Sequence, residues 1–211
     1  MLREWLNSRA LSKGLLLIYG EGGAGKTAII FSLVKHWATR GRPCLYAFTG
    51  RLHPRLVEEL TPFEDGVTLI KLRDFKDQGA LVRGLHKCEG AGYELVAFDT
   101  FTELYRLFTA ETSDPIKACK LLNQQLAMLS ELADKGMLVV LASRARRLAD
   151  DLEPEASSLL EYWSSLILRV ERLGKPKWRR LIFEKGPTGL EGSRFELPLW
   201  SNDALRAAAL T

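Results

Sequence analysis

The sequence contains few of the residues that commonly bind metals or form covalent cross-links, with three cysteines and three histidines among 211 residues. Cys44, Cys88 and Cys119 form no CxxC pair, and no histidine stands at ligand spacing from them, so neither a disulfide framework nor a zinc site is predicted. We expect all three cysteines to be small buried side chains in a reducing compartment.

Long apolar runs are also absent from the sequence. The longest, LLLI and MLVVLA, are far too short to cross a bilayer, and the amino terminus carries acidic and basic residues in place of an apolar signal core. These absences predict a cytoplasmic protein without a membrane partner. The net charge of +4 is small, so overall charge gives little reason to expect a nucleic-acid partner.

The residues that are present suit one globular α/β domain spanning residues 1–211. Apolar residues make up 46% of the chain, and short β-branched or aromatic runs at 15–19, 44–48, 67–72, 95–98 and 137–142 predict strands buried on both faces. Helical patterns lie between these runs. This alternation is typical of a mainly parallel central sheet flanked by helices, with ligands bound at the carboxyl ends of the strands.

The clearest helix is predicted between Asp114 and Gly136. Asp114 is a good N-cap, and Pro115 suits the first helical position. Apolar residues recur three and four positions apart, which predicts one buried face. That face comprises Ile116, Cys119, Leu122, Leu126, Leu129 and Leu132.

The pattern changes after Ala142. The segment SRARRLADDLEPEASS is polar and predicts a loop, whereas SLILRVERL and WRRLIFEK, joined by the turn GKPK, predict an antiparallel β-hairpin. RFELPLW predicts a further strand near the carboxyl end. We therefore expect a C-terminal antiparallel hairpin appended to the parallel core.

The sequence GEGGAGKT, between the first strand and a helix, matches the P-loop pattern GxxxxGK[ST] in full. In this motif backbone N–H groups face phosphate oxygens, the lysine reaches the β- and γ-phosphates, and the hydroxyl binds Mg²⁺. We therefore predict ATP and Mg²⁺ as cofactors, with Lys26 as a catalytic residue and Thr27 as a metal ligand. The predicted nucleotide-binding residues are Gly20, Glu21, Gly22, Gly23, Ala24, Gly25, Lys26, Thr27 and Ala28.

A second motif is the apolar strand LVAF followed by Asp99. Aspartates at strand ends often serve only as caps or turn residues. A P loop upstream in the same sheet favours instead a Walker B aspartate that orients the water shell of Mg²⁺. We predict that Asp99 contributes to metal binding and to catalysis.

Several longer segments resemble the archaeal RadB family, whose members are paralogues of the RadA recombinases within the RecA family. These segments are FDTFTELYRL, the long helix that follows it, LVVLASRARR, LLEYWSSLILRVERLG, RRLIFEKG, and LEG before RFEL. The similarity runs from about residue 15 to about residue 205, and DTFTELYR and EYWS are its most specific parts.

The resemblance implies a RecA-like P-loop ATPase core that assists homologous recombination and DNA repair as an accessory factor. Its partners would be DNA, in single-stranded form, and a RadA-type recombinase or another recombination protein. A homo-oligomer is compatible with the family. As in RadB proteins, the sequence begins almost at the core, so we expect no separate N-terminal DNA-binding domain.

Three motifs of the wider family differ in this sequence. The family places a catalytic glutamate after the second core strand, where this chain has Gly50 and Arg51. The sensing motif, usually similar to TNQ, reads ASR at 142–144. Of the basic residues that relatives carry near the end, where they can contact ATP held by a neighbouring subunit, only Lys185 can be carried over.

The missing glutamate leads us to expect ATP binding with weak or absent hydrolysis, since a positioned base typically contributes about 10²- to 10⁴-fold in rate. Glu103, four residues after Asp99, is a candidate for the catalytic role. The sequence favours the alternative interpretation, an ordinary surface glutamate early in a helix or loop.

Basic residues cluster after the fifth strand, where RecA relatives have DNA-binding loops, and in the C-terminal hairpin. Basic groups beside an exposed aromatic ring suit contacts to phosphates combined with base stacking. Charged hairpin turns also serve as solvated edges that prevent sheets from aggregating, so both interpretations remain open. The predicted DNA contacts are Arg144, Arg146, Arg147, Lys175, Lys177, Trp178, Arg179 and Arg180.

Two other functions also fit parts of the sequence. A P-loop kinase for a small molecule would use the SRARR segment as a lid, although the C-terminal hairpin replaces the helical ending of such kinases. A RecA-like signalling or scaffold ATPase would assemble into rings and would not bind DNA.

Overall fold

A computed structural model describes residues 13–148 and 151–198 of the chain. The strands are β1 (Gly14–Gly20), β2 (Cys44–Phe48), β3 (Val67–Lys71), β4 (Leu95–Asp99), β5 (Leu138–Leu148), β6 (Asp151–Pro154), β7 (Leu166–Arg172), β8 (Trp178–Lys185) and β9 (Arg194–Pro198). The α-helices are α1 (Lys26–Ala38), α2 (Pro54–Leu60), α3 (Phe75–Lys87), α4 (Phe101–Glu111), α5 (Pro115–Asp134) and α6 (Ser157–Trp163), and a 3₁₀ helix covers Thr61–Gly66.

The strands form one sheet in the order β3-β2-β4-β5-β1-β7-β8-β9, and β6 pairs with the extended end of β5. Strands β1 to β5 pair in parallel, and β7 pairs in parallel with β1. The pairs β7–β8 and β8–β9 are antiparallel. The predicted parallel core with a C-terminal antiparallel hairpin is therefore confirmed. Residues 199 and 200 of the predicted final strand lie outside the described residues.

Two apolar layers cover the two faces of the sheet. Side chains from alternate positions of β1, such as Leu16 and Ile18, pack with α1 on one face. Leu15 and Leu17 pack with α3, α4 and α5 on the other. Alternate side chains of one strand point to opposite faces, so a continuous apolar run is what a strand covered on both sides requires.

Within the part of the chain that the structure describes, no helix has the length and apolar character needed to span a membrane.

The predicted burial is wrong at several positions. Strand β3 forms the edge of the sheet, and its residues Thr68, Leu69 and Lys71 are exposed. Of the three cysteines, only Cys44 is buried, whereas Cys88 and Cys119 are exposed.

The long helix begins as predicted, with the Asp114 carboxylate accepting a hydrogen bond from the N–H of Lys117 at 2.9 Å. Its buried face, however, contains Ala118 instead of Cys119, and Ile116 is 69% exposed. The stripe of residues that starts at Ala118 points towards the sheet, so the residues beside it face solvent.

The polar segment after Ala142 is not the loop that its composition predicts. Strand β5 continues to Leu148 and pairs antiparallel with β6, with Ala145 opposite Pro154. The segment is polar because this hairpin extends beyond the covered part of the sheet. Strand structure there depends on cross-strand pairing, which apolar periodicity does not reveal.

The buried face of α5 can be tested by two matched truncations. We expect Leu126→Ala, at a fully buried position, to lower the free energy of unfolding by about 2–5 kcal/mol because it leaves a cavity. Ile116→Ala, on the same helix but exposed, should change it by less than about 0.5 kcal/mol. Urea denaturation followed by circular dichroism measures both; equal losses would contradict the assignment of the face.

Candidate nucleotide-binding site

The carboxyl ends of β1, β4 and β5 meet at one edge of the sheet. The strand register places Gly20 beside Arg144 and Phe48 beside Asp99. Parallel pairing therefore brings together the P loop (residues 20–27), the segment after β2 and the aspartate at the end of β4. This is the edge where α/β sheets bind ligands.

Two glycines of the P loop, Gly20 and Gly25, occupy positions that disfavour a side chain. Gly25, the N-cap of α1, has a φ of 106°, a left-handed conformation that glycine adopts without strain. A Cβ at Gly20 would collide with the carbonyl oxygen of Val170 on β7. Helix α1 has no side-chain N-cap hydrogen bond and no acidic residue in its first turn. Its first N–H groups are therefore suited to bind an anion.

The Lys26 ammonium group lies within the P loop. The residue is 7% exposed, and Nζ donates hydrogen bonds to the carbonyl oxygens of Gly20 at 2.8 Å and Glu21 at 3.0 Å. Burial lowers the pKa of Lys26 to about 8. Phosphate oxygens that replace or supplement these carbonyls would raise the pKa of Lys26 again and favour the protonated amine.

Charged side chains of both signs surround Lys26. Beyond the effect of burial, the negative charges of Asp99 and Glu155 raise its pKa, and the positive charges of Arg144 and Arg172 lower it. Arg144 belongs to β5 and Arg172 to β7, the two strands that flank β1. The phosphate site is therefore bordered by cations from both neighbouring strands.

Asp99 is buried at the end of β4 and accepts a hydrogen bond from the Tyr46 hydroxyl at 2.8 Å. Burial, together with the neighbouring Asp99 carboxylate, raises the pKa of Tyr46, so the phenol stays protonated and donates. This bond fixes Oδ2 of Asp99, and the Thr100 hydroxyl lies 3.5 Å from Oδ1. Thr27, the predicted metal ligand, is partly buried in the first turn of α1.

Two residues of the divergent motifs, Gly50 and Ser143, lie after β2 and within β5. Gly50 follows β2 with a φ of 72°, is exposed, and a Cβ there would meet no atom within 4 Å. Ser143, in the sensing position, is fully buried; its hydroxyl shares a 3.2 Å hydrogen bond with that of Thr102 and donates to the Arg144 carbonyl oxygen at 3.0 Å.

Glu103 lies near this edge but is engaged by arginines. Its carboxylate pairs with Arg106 at 2.9 Å and with Arg144 at 3.2 Å. The proposed catalytic role of Glu103 remains a prediction, and these two ion pairs do not favour it.

The C-terminal hairpin holds the P loop directly. Arg172 donates a hydrogen bond from Nη2 to the carbonyl oxygen of Gly22, and Arg179 donates one from Nε to that of Ala24 at 2.7 Å. Arg179, predicted as a DNA contact, is therefore turned towards the nucleotide loop. Sequence reasoning missed Arg172 altogether, because its position depends on the pairing of β7 with β1.

The three arginines in the carboxyl-terminal part of β5 form ion pairs at the surface. Arg146 lies 3.5 Å from Glu153, and Arg147 lies 3.3 Å from Glu21 of the P loop. Their side chains are 55% and 72% exposed. Their roles as DNA contacts remain predictions.

The hairpin tip carries the other predicted DNA contacts. Trp178 is 37% exposed, and the Lys175 ammonium lies 5.8 Å from the centre of its ring. Lys177 is also exposed, whereas Arg180 pairs with Glu196 at 2.9 Å. Lys185, the predicted inter-subunit ATP contact, lies away from the tip and donates to the Glu161 carbonyl oxygen at 2.9 Å.

The residues of this edge fit a nucleoside triphosphate with its divalent cation. Such a group requires hydrogen-bond donors for its phosphates and an oxygen ligand for its metal. The edge supplies a buried ammonium, helix N–H groups in the first turn of α1, and a carboxylate oriented by a hydrogen bond at the end of β4. No cluster of three or more His, Cys, Asp or Glu residues able to hold a metal occurs in ranges 13–148 and 151–198. Sequence-based prediction missed Tyr46, Arg172 and Glu155, because none of them belongs to a motif.

Comparisons with known proteins show the family and the fold of the chain. A family model described as "AAA domain" matches residues 4–141, more than half of the chain. A "DNA repair and recombination protein RadB" from Methanococcus maripaludis is 26% identical over 210 residues, covering 96% of each chain. A protein of the same name from Methanocaldococcus jannaschii is 28% identical over 193 residues, covering 88% of this chain and 90% of its own.

A solved structure titled "Crystal structure of the RadB recombinase" superimposes with a TM-score of 0.73. It is 24% identical and covers 93% of this chain and 92% of its own. The predicted RecA-like fold and the predicted resemblance to RadB are both confirmed.

The lowered pKa of Lys26 predicts proton uptake on nucleotide binding. A phosphate group raises the lysine pKa again, so binding at pH 8 should take up roughly half a proton, rising towards one at pH 9 and falling towards zero at pH 7. ATP affinity should therefore weaken as pH rises above 8. Calorimetry in buffers of different ionisation enthalpy measures the uptake. Lys26→Arg is the matched control, because arginine stays charged and should take up no proton.

Proposed function

This chain belongs to the AAA domain family, and we propose that it is a RadB-like, ATP-binding paralogue of the RecA-family recombinases that assists homologous recombination and DNA repair. It acts in the cytoplasm as an accessory factor, with DNA and a RadA-type recombinase or another recombination protein as partners. Nucleotide binding, more than turnover, sets its state.

The observation that carries this proposal is the contact between the hairpin and the P loop. Arg172 and Arg179 bind carbonyl oxygens of the loop, and the tip with Lys175 and Trp178 lies between the two strands that carry these arginines. A change in the P loop therefore reaches the tip through two side chains. A ligand can shift a protein between states only if it binds them unequally, and these contacts supply that difference.

ATP and Mg²⁺ would be bound by the P loop. Its N–H groups and Lys26 would hold the phosphates, and Thr27 and Asp99 would orient the Mg²⁺, which neutralises charge on the phosphates when it is bound. Tyr46 keeps Asp99 in place through the hydrogen bond to its carboxylate.

Slow hydrolysis is part of the proposal. Gly50 stands where related proteins carry the carboxylate that activates water, while the groups that bind phosphate remain complete. Phosphate affinity depends on the loop, the lysine and the metal, so binding does not require the missing group.

The hairpin tip supports DNA as a partner. An exposed tryptophan beside lysines suits an unpaired base stacked on the ring and a phosphate held by the ammonium groups. Homo-oligomerisation, with Lys185 reaching a neighbour's nucleotide, is compatible with this arrangement.

The proposal predicts that Lys26→Ala abolishes both nucleotide binding and the response of DNA binding to nucleotide. The dissociation constant for ATP should rise by about two orders of magnitude, since charge-assisted hydrogen bonds of roughly 1.5–3 kcal/mol each are lost. In the wild type, a non-hydrolysable ATP analogue should change the affinity for a single-stranded oligonucleotide about 5- to 150-fold. Fluorescence anisotropy measures both. A response that survives in Lys26→Ala would sink the proposal, and an absence of DNA binding would favour a scaffold ATPase.

The contact between hairpin and P loop predicts a variant that separates the two functions. Arg179→Gln should leave ATP affinity within about threefold of wild type, because the phosphate-binding groups are intact. In this variant, the free energy by which nucleotide changes DNA affinity should fall by at least about half. Arg73→Gln is the matched control, because Arg73 is exposed and follows β3, at the edge of the sheet opposite the hairpin. Full coupling in Arg179→Gln would contradict this role of the hairpin.

A further inference from the structure

A carboxylate other than Glu103 lies beside the phosphate site. Glu155 follows β6 directly, and its Oε2 atom is buried without a hydrogen-bond partner among the described residues. Buried carboxylate oxygens are almost always hydrogen-bonded, so an unpartnered one indicates a ligand or water that belongs there.

The backbone fixes Glu155 next to the P loop. Its N–H donates a 3.0 Å hydrogen bond to the carbonyl oxygen of Arg144, the residue paired with Gly20 across β1 and β5. The hydroxyl of Tyr19, one residue before the P loop, donates to the Glu184 carboxylate at 2.5 Å and lies 3.2 Å from the Leu152 carbonyl oxygen, which places β6 beside β1.

The next residue holds the chain in an unusual conformation. Ala156 has a φ of 56° and a ψ of 40°, in the left-handed region that non-glycine residues rarely adopt. This turn directs the chain into α6 immediately after Glu155. Such conformations persist where the surrounding structure requires them, commonly at functional sites.

The surroundings of the two glutamates differ. Glu103 is neutralised by ion pairs with Arg106 and Arg144 at 2.9 and 3.2 Å. Among the described residues, the Glu155 carboxylate has one ion-pair partner, Arg106 at 3.8 Å. A carboxylate that lies beside the P loop and has one buried oxygen without a described partner can accept a proton from water.

We infer that Glu155 serves as the general base for slow hydrolysis of the bound nucleoside triphosphate, in place of the carboxylate missing at Gly50. One O–H bond of the attacking water breaks and its proton passes to Glu155. The water oxygen bonds to the γ-phosphorus while the bond from that phosphorus to the β,γ-bridging oxygen breaks. The diphosphate leaves with that electron pair, and the proton is released afterwards to inorganic phosphate or solvent.

This inference rests on the proposed nucleotide-binding function, and its test uses the full chain with Mg-ATP. Phosphate release is measured for wild type, Glu155→Gln and Glu103→Gln, with Lys26→Ala as background and Glu58→Gln, an exposed glutamate on α2, as control. Glu155→Gln should lower turnover by about 10²-fold or to the background, whereas Glu103→Gln should keep at least half of it. Glu155→Asp, which retains the carboxylate, should be intermediate.

Nucleotide affinity gives a readout independent of turnover. Removing a negative charge that faces the terminal phosphate should tighten binding of a non-hydrolysable ATP analogue by roughly three- to tenfold. ADP binding should stay within about twofold of wild type, which also shows that the variant is folded. A residue with only a structural role would weaken both nucleotides together.

Three results would overturn the inference: turnover unchanged in Glu155→Gln, equal effects on ATP analogue and ADP, or wild-type turnover no greater than that of Lys26→Ala. The last result leaves the proposed function standing if ATP still alters DNA affinity. Loss of that response with turnover intact would instead reject the proposed function and spare Glu155.

Discussion

The pairing of β1 with β5 on one side and β7 on the other is the constraint on which the whole site depends. The P loop continues directly from β1, so whatever the flanking strands carry at their carboxyl ends lies against it. Strand β5 brings Arg144 and, through its hairpin with β6, Glu155. Strand β7 brings Arg172. The β5 side of the loop therefore carries groups suited to catalysis. The β7 side carries a contact suited to transmit changes in the loop to the hairpin.

Electrostatics at this edge are balanced around one buried amine. Lys26 is desolvated, and cations and anions from three strands and from the segment after β6 oppose one another near it. Such an arrangement makes the ammonium sensitive to each added or removed charge, because little solvent remains to screen it. A nucleotide with several negative oxygens is the largest perturbation that the site can receive. Binding and the protonation of Lys26 are accordingly parts of one equilibrium.

Much of the fold and of the P loop follows from the sequence, because continuous apolar runs and glycine spacing are local properties. The hairpin after Ala142 could not be predicted this way, since its strands are polar and exist through pairing with each other. The burial of Ile116 was mispredicted because helical spacing alone does not say which stripe faces the sheet. Arg172 contacts a residue 150 positions earlier in the chain, and no short motif records such a distance.

The hydrogen bonds from the hairpin to Gly22 and Ala24 also have a kinetic consequence. Any movement of the P loop during nucleotide release acts against these two hydrogen bonds, whose guanidinium groups belong to strands far along the chain. We therefore expect the lifetime of the bound nucleotide to depend partly on residues outside the loop. A partner that binds the hairpin would then change the rate of nucleotide exchange without touching the nucleotide.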